Sequence, residues 1–272
     1  MSRKISLILL YLALAIITII AISPFYFMII MSSYRTQNLA EAVSMLPGNH
    51  FLVNLRTVLD SGFLLYYRNS LYAAVVFTTI SLLLCSMAGY GFAKFNFKGN
   101  KVLFAFVIGA MMIPAQLGLI GYVIQMRVMG LGRTLWPIIL GDVASCFGVF
   151  WICQYVRGSL SDAILESARI DGCGEFRIFF NIALPCITPA LATLAILQFV
   201  FSWNYYLRPL VTLSDPRLFT IPLGVATLGT RYQTDHAAQI CALALATVPL
   251  IIVFICGSKT FISGLTSGAV KE

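Results

Sequence analysis

Charged residues are scarce in this sequence. Of 272 residues only 10% are Asp, Glu, Lys or Arg, against 60% apolar, and the mean hydropathy is +0.91. A soluble domain of this length needs a polar surface that this composition cannot supply, which leaves lipid as the solvent. The net charge of +8 comes without a basic stripe. Lys and Arg stand singly between apolar segments, which argues against nucleic acid as a partner and suits loops at a membrane surface. Histidine is nearly missing. His50 and His236 fall in connecting segments, far from any acid–nucleophile pair, which argues against an enzyme embedded in the membrane. The 7 cysteines include no CxxC and no His/Cys group at ligand spacing, so no metal site is expected. Cys85, Cys146, Cys153, Cys186, Cys241 and Cys256 lie inside apolar runs and read as small hydrophobes; Cys173, in a charged passage, reads as a small packing residue. Period-two alternation is also missing, which excludes a transmembrane barrel.

The long apolar runs that remain predict an all-α polytopic membrane protein, one transmembrane domain over residues 1–272. Six spans are expected: 5–32 with Ser23-Pro24 as a kink, 69–93, 102–125 interrupted at Ile113-Pro114-Ala115-Gln116, 134–156 with Asp142 near one end, 185–207 and 237–258. The first run is about twice the length of a signal-peptide core of roughly 7–15 residues, so it reads as an uncleaved span. All 6 Lys fall on one side of this arrangement, which predicts both termini inside. Residues 35–68 and 208–236 then form outer loops, the first with a turn at Leu46-Pro47-Gly48-Asn49 and a short surface helix in "NLRTVLDSGF".

The exception to the low charge is residues 162–177, which hold Asp162, Glu166, Arg169, Asp171, Glu175 and Arg177 on the inner side. Ser159 offers an N-cap with Asp162 in the first turn. Leu165, Ala168 and their apolar neighbours form one side of the helix; Asp162, Glu166 and Arg169 share the other. Asp171-Gly172 is a strong turn signal, with Gly172 suited to a left-handed residue after the helix. A second short helix follows over 174–182, and Pro185 fits the first turn of the fifth span. Such a hairpin suits an ordinary solvated loop with paired charges, or a docking knob for a cytoplasmic protein; the residues alone leave both open.

"ESARIDGCGEFRIFFNIALPCITPAL" resembles the EAA signature of ABC importer permeases, a Glu-Ala-Ala-like triplet, Asp-Gly, then Ile-x-Leu-Pro. Glu166, Ala168, Asp171, Gly172, Ile182, Leu184 and Pro185 match; Ser167 replaces the middle Ala and Cys173 stands where a small Ala is usual. "RNSLYAAV", "MIPAQ", "MGLGRTLWPIIL", "FSWNYYLRPL" and "KTFISGLTSGAVK" follow in order and look like the carbohydrate-uptake branch, within it the maltose-type second permease.

The resemblance implies a type I importer permease that makes no covalent bonds. Its implied companions are a second homologous permease, a cytoplasmic ATPase dimer, an extracytoplasmic solute-binding protein and membrane lipid. No cofactor is expected on this chain, since ATP and Mg belong to the ATPase. By this resemblance Glu166, Ser167, Ala168, Asp171, Gly172, Leu184 and Pro185, within a coupling loop over 159–184, receive the ATPase. For the solute, polar groups in spans are costly and usually face the interior. Gln116 at the Pro114 break, and Gln198, Ser202, Trp203, Asn204 and Tyr205 on the fifth span, are candidates for the path, with helix–helix hydrogen bonding as the alternative. Asp142 pairs with a nearby Arg such as Arg133 or meets solute. Arg208, where the family often has an aromatic, anchors the span at the headgroups or favours an anionic sugar. The rival cargoes are glycerol phosphate, an amino acid or a peptide; the rival class is a stand-alone channel or a membrane-embedded enzyme.

Overall fold

The computed structural model describes residues 3–39, 46–230 and 233–267, so Lys271, counted above for orientation, and the last residues of "KTFISGLTSGAVK" lie outside the described residues. The described chain is helical apart from one two-residue antiparallel pair, β1 (Gly229–Thr230) with β2 (Gln233–Thr234). In chain order the helices are α1 (Arg3–Met31), α2 (Phe51–Asp60), α3 (Phe63–Lys94), α4 (Asn100–Ala110), α5 (Leu119–Val128), α6 (Trp136–Leu140), α7 (Cys146–Ser159), α8 (Asp162–Ile170), α9 (Glu175–Ile178), α10 (Leu184–Cys186), α11 (Thr188–Asn204), α12 (Leu207–Thr212), α13 (Ile221–Ala226) and α14 (His236–Ser267). Three of them, at Ile5–Met31, Phe63–Lys94 and His236–Ser258, are long and apolar enough to cross a membrane, and up to five if each of two bent pairs is one span.

The bent pairs have chemical causes. Between α4 and the segment Ala115–Val128 the axis turns by 90°. Pro114 sits at that corner, has no N–H to donate and pushes its predecessor out of helical backbone. The second bend, 79°, separates Glu175–Cys186 from α11. Pro185 and Pro189 flank it. The ring of Pro185 would strike the carbonyl four residues back, and the helix widens there into a π turn over Phe179–Ala183. Pro189 then cannot donate to the Pro185 carbonyl, and the Thr188 hydroxyl does so instead at 2.8 Å.

These breaks correct several sequence expectations. The fifth span does not start at Pro185; its long helix starts at Thr188, with Pro189 in the first turn, and ends at Asn204. The fourth span is not one helix over 134–156. It is divided into α6 and α7 by a turn at 141–145, and the 14 residues of α7 reach only about 21 Å. α1 runs through Pro24 without interruption, and the expected surface helix is α2.

The chain divides into two compact units, residues 1–64 with 223–249 and residues 65–222 with 250–272. In the first unit the most apolar stretch of α1 is unburied, and of the helix's apolar side chains Ile30, near its end, enters the core. Buried Asn54 holds the chain after α1, donating to the Ser32 and Tyr34 carbonyls, both at 2.8 Å. Asp235 caps α14 by accepting from the Ala238 amide at 3.0 Å, and Thr36 donates to the same carboxylate at 2.6 Å.

The second unit has a core built by α3, α7 and α11, which the α8–α9 hairpin joins through Leu165, Ala168, Ile178 and Phe179. α3 and α7 touch closely at Gly89. A methyl there would lie 2.8 Å from Ile152 Cβ and 2.9 Å from the Cys153 amide nitrogen, so only glycine fits. We expect Gly89→Ala to force the two helices apart and lower stability by about 1–3 kcal/mol, read as an earlier thermal transition of the purified protein in detergent.

Candidate functional site

The α8–α9 hairpin is built as its sequence suggested, with one change at its start. The N-cap position is Ser161 rather than Ser159, whose hydroxyl instead donates to the Tyr155 carbonyl at 2.7 Å and so finishes α7. Asp162 lies in the first turn of α8. Leu165 and Ala168 turn inward, while Glu166, Ser167 and Asp171 are exposed. The helix ends as Gly172 takes φ of +78°, and the Cys173 amide returns to the Ala168 carbonyl at 3.0 Å. Arg169 grips Glu175 across the turn with two hydrogen bonds, 2.7 and 3.4 Å. That hydrogen bond raises the guanidinium's pKa above its ordinary value. Leu184 is half-buried and Pro185 exposed in the widened turn leading to α11, so the seven predicted coupling residues share one continuous segment but not one face.

One cation ties this hairpin to its surroundings, a second ties the neighbouring α7 to α3 and α4, and neither stood out in the sequence. Lys94, at the end of α3, donates to the Leu160 carbonyl at 2.5 Å and to Asp162 Oδ1 at 2.6 Å. The hydrogen bond from Lys94, reinforced by its charge, holds the Asp162 carboxyl below the usual carboxylate range. Arg157, in the last turn of α7, donates to the Phe92 carbonyl at 3.4 Å and lies over the Phe104 ring at 5.0 Å.

The candidate path residues separate into groups. Ser202 and Tyr205 line one small cavity with Phe77, Ile138 and Arg208. Gln198 and Trp203 are buried in the bundle, Trp203 stacked on Phe199 at 5.6 Å and edge-on to Tyr67 at 5.5 Å. Asn204 is exposed and donates to the Val200 carbonyl at 3.0 Å, a helix-end bond. Gln116 is exposed in the turn Ala115–Gly118 and is not brought to the others.

Arg208 and Asp142 overturn two expectations. Asp142 does not pair with Arg133; its partner is Arg208, at 2.6 Å. Arg208 is no headgroup anchor either, being 4% exposed and set over the rings of Tyr122 at 5.2 Å and Tyr205 at 4.7 Å. Tyr122 donates to the Pro137 carbonyl at 2.6 Å. One cluster therefore pins α5, α6, α12 and the end of α11. Its members are 66 residues apart in the case of the ion pair, which is why local spacing could not reveal it. Asn69 and Ser70, in the "RNSLYAAV" stretch, play a similar part: Asn69 donates to the Arg217 and Phe219 carbonyls at 2.9 and 3.1 Å, and Ser70 accepts from the Ile221 amide at 2.8 Å.

Fold and site together define a polytopic helical membrane protein with one charged hairpin seated in its core. The chain belongs to the family of binding-protein-dependent transport system inner membrane components, which matches residues 81–261. It is therefore a permease of an ABC transport system and an inner-membrane component. It is 36% identical to the arabinooligosaccharides transport system permease protein AraQ of Halalkalibacterium halodurans over 280 residues, covering 100% of each chain. It is 28% identical to the maltodextrin transport system permease protein MdxG of Bacillus subtilis, over 99% of this chain and 98% of that one. In fold it is similar to a chain in the crystal structure of a bacterial ABC transporter involved in the import of the acidic polysaccharide alginate, with a TM-score of 0.79, 23% identity, and coverage of 96% of this chain and 99% of that chain.

Removing one partner of a buried ion pair strands the other charge. Asp142→Ala is expected to cost about 3–5 kcal/mol, and the double variant Asp142→Ala/Arg208→Met to recover much of that loss. Denaturation of both in detergent checks this; an Asp142→Ala protein as stable as wild type would show that the pair contributes nothing.

Proposed function

We propose that this permease moves a sugar or oligosaccharide inward across the plasma membrane, in a complex with a second homologous permease, a cytoplasmic ATPase dimer and an extracytoplasmic solute-binding protein. The observation that carries the cargo class is the full-length similarity to a permease named for arabinooligosaccharide transport, with maltodextrin and lactose permeases at lower identity. A solved relative in fold, with a TM-score of 0.60, is a bacterial alginate ABC transporter in complex with a pentasaccharide-bound periplasmic protein, which supports a solute-binding partner here.

In this reading six segments span the bilayer with both termini inside; α4 with α5 forms the bent third, α6 with α7 the divided fourth, and α11 the fifth. α8 is the coupling helix. Glu166 is exposed on it, free of any hydrogen bond or ion pair among the described residues, and the neighbouring Ile164, Ile170 and Phe176 expose apolar surface. An exposed acid on a hairpin that also exposes apolar side chains suits a groove in another protein that offers a cation. ATP would close the ATPase pair, α8 would follow its groove, and the bundle would rock between inward-open and outward-open forms. No covalent chemistry falls to this chain. Arg208 is already neutralised by Asp142 and covered by two tyrosine rings, which supports a neutral sugar over an anionic one.

Glu166→Lys is expected to reduce recovery of the ATPase with the purified permease, and solute uptake, by about tenfold or more. Undiminished ATPase recovery would reject α8 as the docking element. Solute screens on the partner binding protein test the cargo: neutral oligosaccharides should bind, and exclusive binding of a peptide or amino acid would reject the sugar reading.

A further inference from the structure

α3 joins the docking hairpin to the candidate solute path, and Lys94 is where it is attached. The side chain of Lys94 is 7% exposed, although that of Asp162 on the other side of the ion pair is 77% exposed. A cation so covered must be held by acceptors, and it has two, the Leu160 carbonyl and the Asp162 carboxylate. Leu160 is the residue that ends α7, and Asp162 is the first residue of α8. One side chain therefore fastens the end of α3 to both the end of α7 and the start of the docking helix. Charge-assisted hydrogen bonds of this length resist stretching more than apolar packing resists sliding.

From Lys94 the helix runs without a break, and it contains no proline. Tyr67 lies 27 residues earlier on the same helix, roughly 40 Å away along its axis. There its ring meets Trp203 edge-on at 5.5 Å, and Phe77 lies between them in sequence with its ring 6.1 Å from Phe201. α3 is thus a rod fastened to the docking helix at one end and to the end of α11 along the rest.

We propose that Lys94 is the positioning residue through which movement of α8 is passed to α3, and through α3 to the aromatic end of α11. The proposal rests on α8 being the ATPase-docking helix. It goes beyond that reading by separating two duties: α8 holds the ATPase, and Lys94 makes the hold useful. Apolar packing of Leu165 and Ala168 keeps the hairpin in place without Lys94, so loss of the ammonium should leave docking intact and loosen the transmission.

The test uses the complete transporter, both permeases, ATPase and binding protein, in proteoliposomes. Lys94→Met keeps the length and apolar stem of the side chain and removes its charge. The ATPase should still co-purify, and solute moved per ATP hydrolysed should fall roughly five- to tenfold. Lys94→Arg, which can still donate to both acceptors, should restore most of the ratio. If Lys94→Met is not recovered folded, Asp162→Ala decides, because Asp162 is solvent-exposed and its loss removes the other half of the attachment; the ratio should fall in the same direction. A wild-type ratio in the variant that is recovered overturns the proposal. So does loss of ATPase recovery in Lys94→Met, since Lys94 would then only shape the docking surface. Failure of the docking reading shows separately, as ATPase that remains bound to Glu166→Lys.

Discussion

Backbone polar groups cannot be left to lipid, and the architecture of this permease follows from that constraint wherever a helix breaks. A chain with unbroken spans would need no polar side chains inside it. This one bends at Pro114 and at Ile187, divides between α6 and α7, and stops at Asn204 before resuming as α12. Each interruption frees N–H and carbonyl groups, and several of the broken stretches have a side chain assigned to them. Thr188 takes the Pro185 carbonyl, Tyr122 takes the Pro137 carbonyl, and Asn69 with Ser70 holds the stretch between α12 and α13.

The same constraint explains where charge is tolerated. Arg208 is buried because Asp142 and two aromatic faces replace its water. Lys94 is buried because a carbonyl and a carboxylate do the same. The remaining charges of the hairpin face outward, where α8 exposes Glu166 and Asp171 and α9 exposes Arg177. Charge thus falls into two groups: internal ties that join elements distant in sequence, and the outward face of the hairpin, which the proposed function gives to another protein. The ties are ion pairs within the chain, and Glu166 makes no ion pair or hydrogen bond through its side chain among the described residues.

Much of the fold could be read from the chain alone, because long apolar runs and turn chemistry are local properties. The segments around α1, α3 and α14, the α8 hairpin and the left-handed Gly172 all follow from composition, period and spacing. What could not be read is what depends on partners far along the chain. Apolar content alone does not show that residues 134–156 break after Leu140, since Gly141 and Asp142 look like helix-end ornaments until Arg208 is beside them. Pro185 and Pro189 are four residues apart, and either could start a helix; the bend at Ile187 makes Pro189 the starter. Lys94 looked like an ordinary inner-loop cation, with nothing local to distinguish it from Lys98 or Lys101.

The chain's unburied apolar surface is of two kinds, and the difference bears on how the permease works. α1 is apolar on every side and leaves its most apolar stretch unburied, which is the pattern of a helix content with lipid or with another apolar helix. On the hairpin the exposed Ile164, Ile170 and Phe176 are interleaved with Glu166, Arg169 and Arg177, a mixture that lipid would penalise and that a folded protein surface can match group by group. A lipid-facing helix can slide and rotate at little cost, because its neighbours have no preferred register. A surface of mixed polarity cannot, because displacement by one residue sets charge against apolar groups. Under the proposed docking, force applied to the hairpin by a partner would move it as a unit, and the hydrogen-bonded attachment at Lys94 and Asp162 would be where that movement enters the apolar bundle.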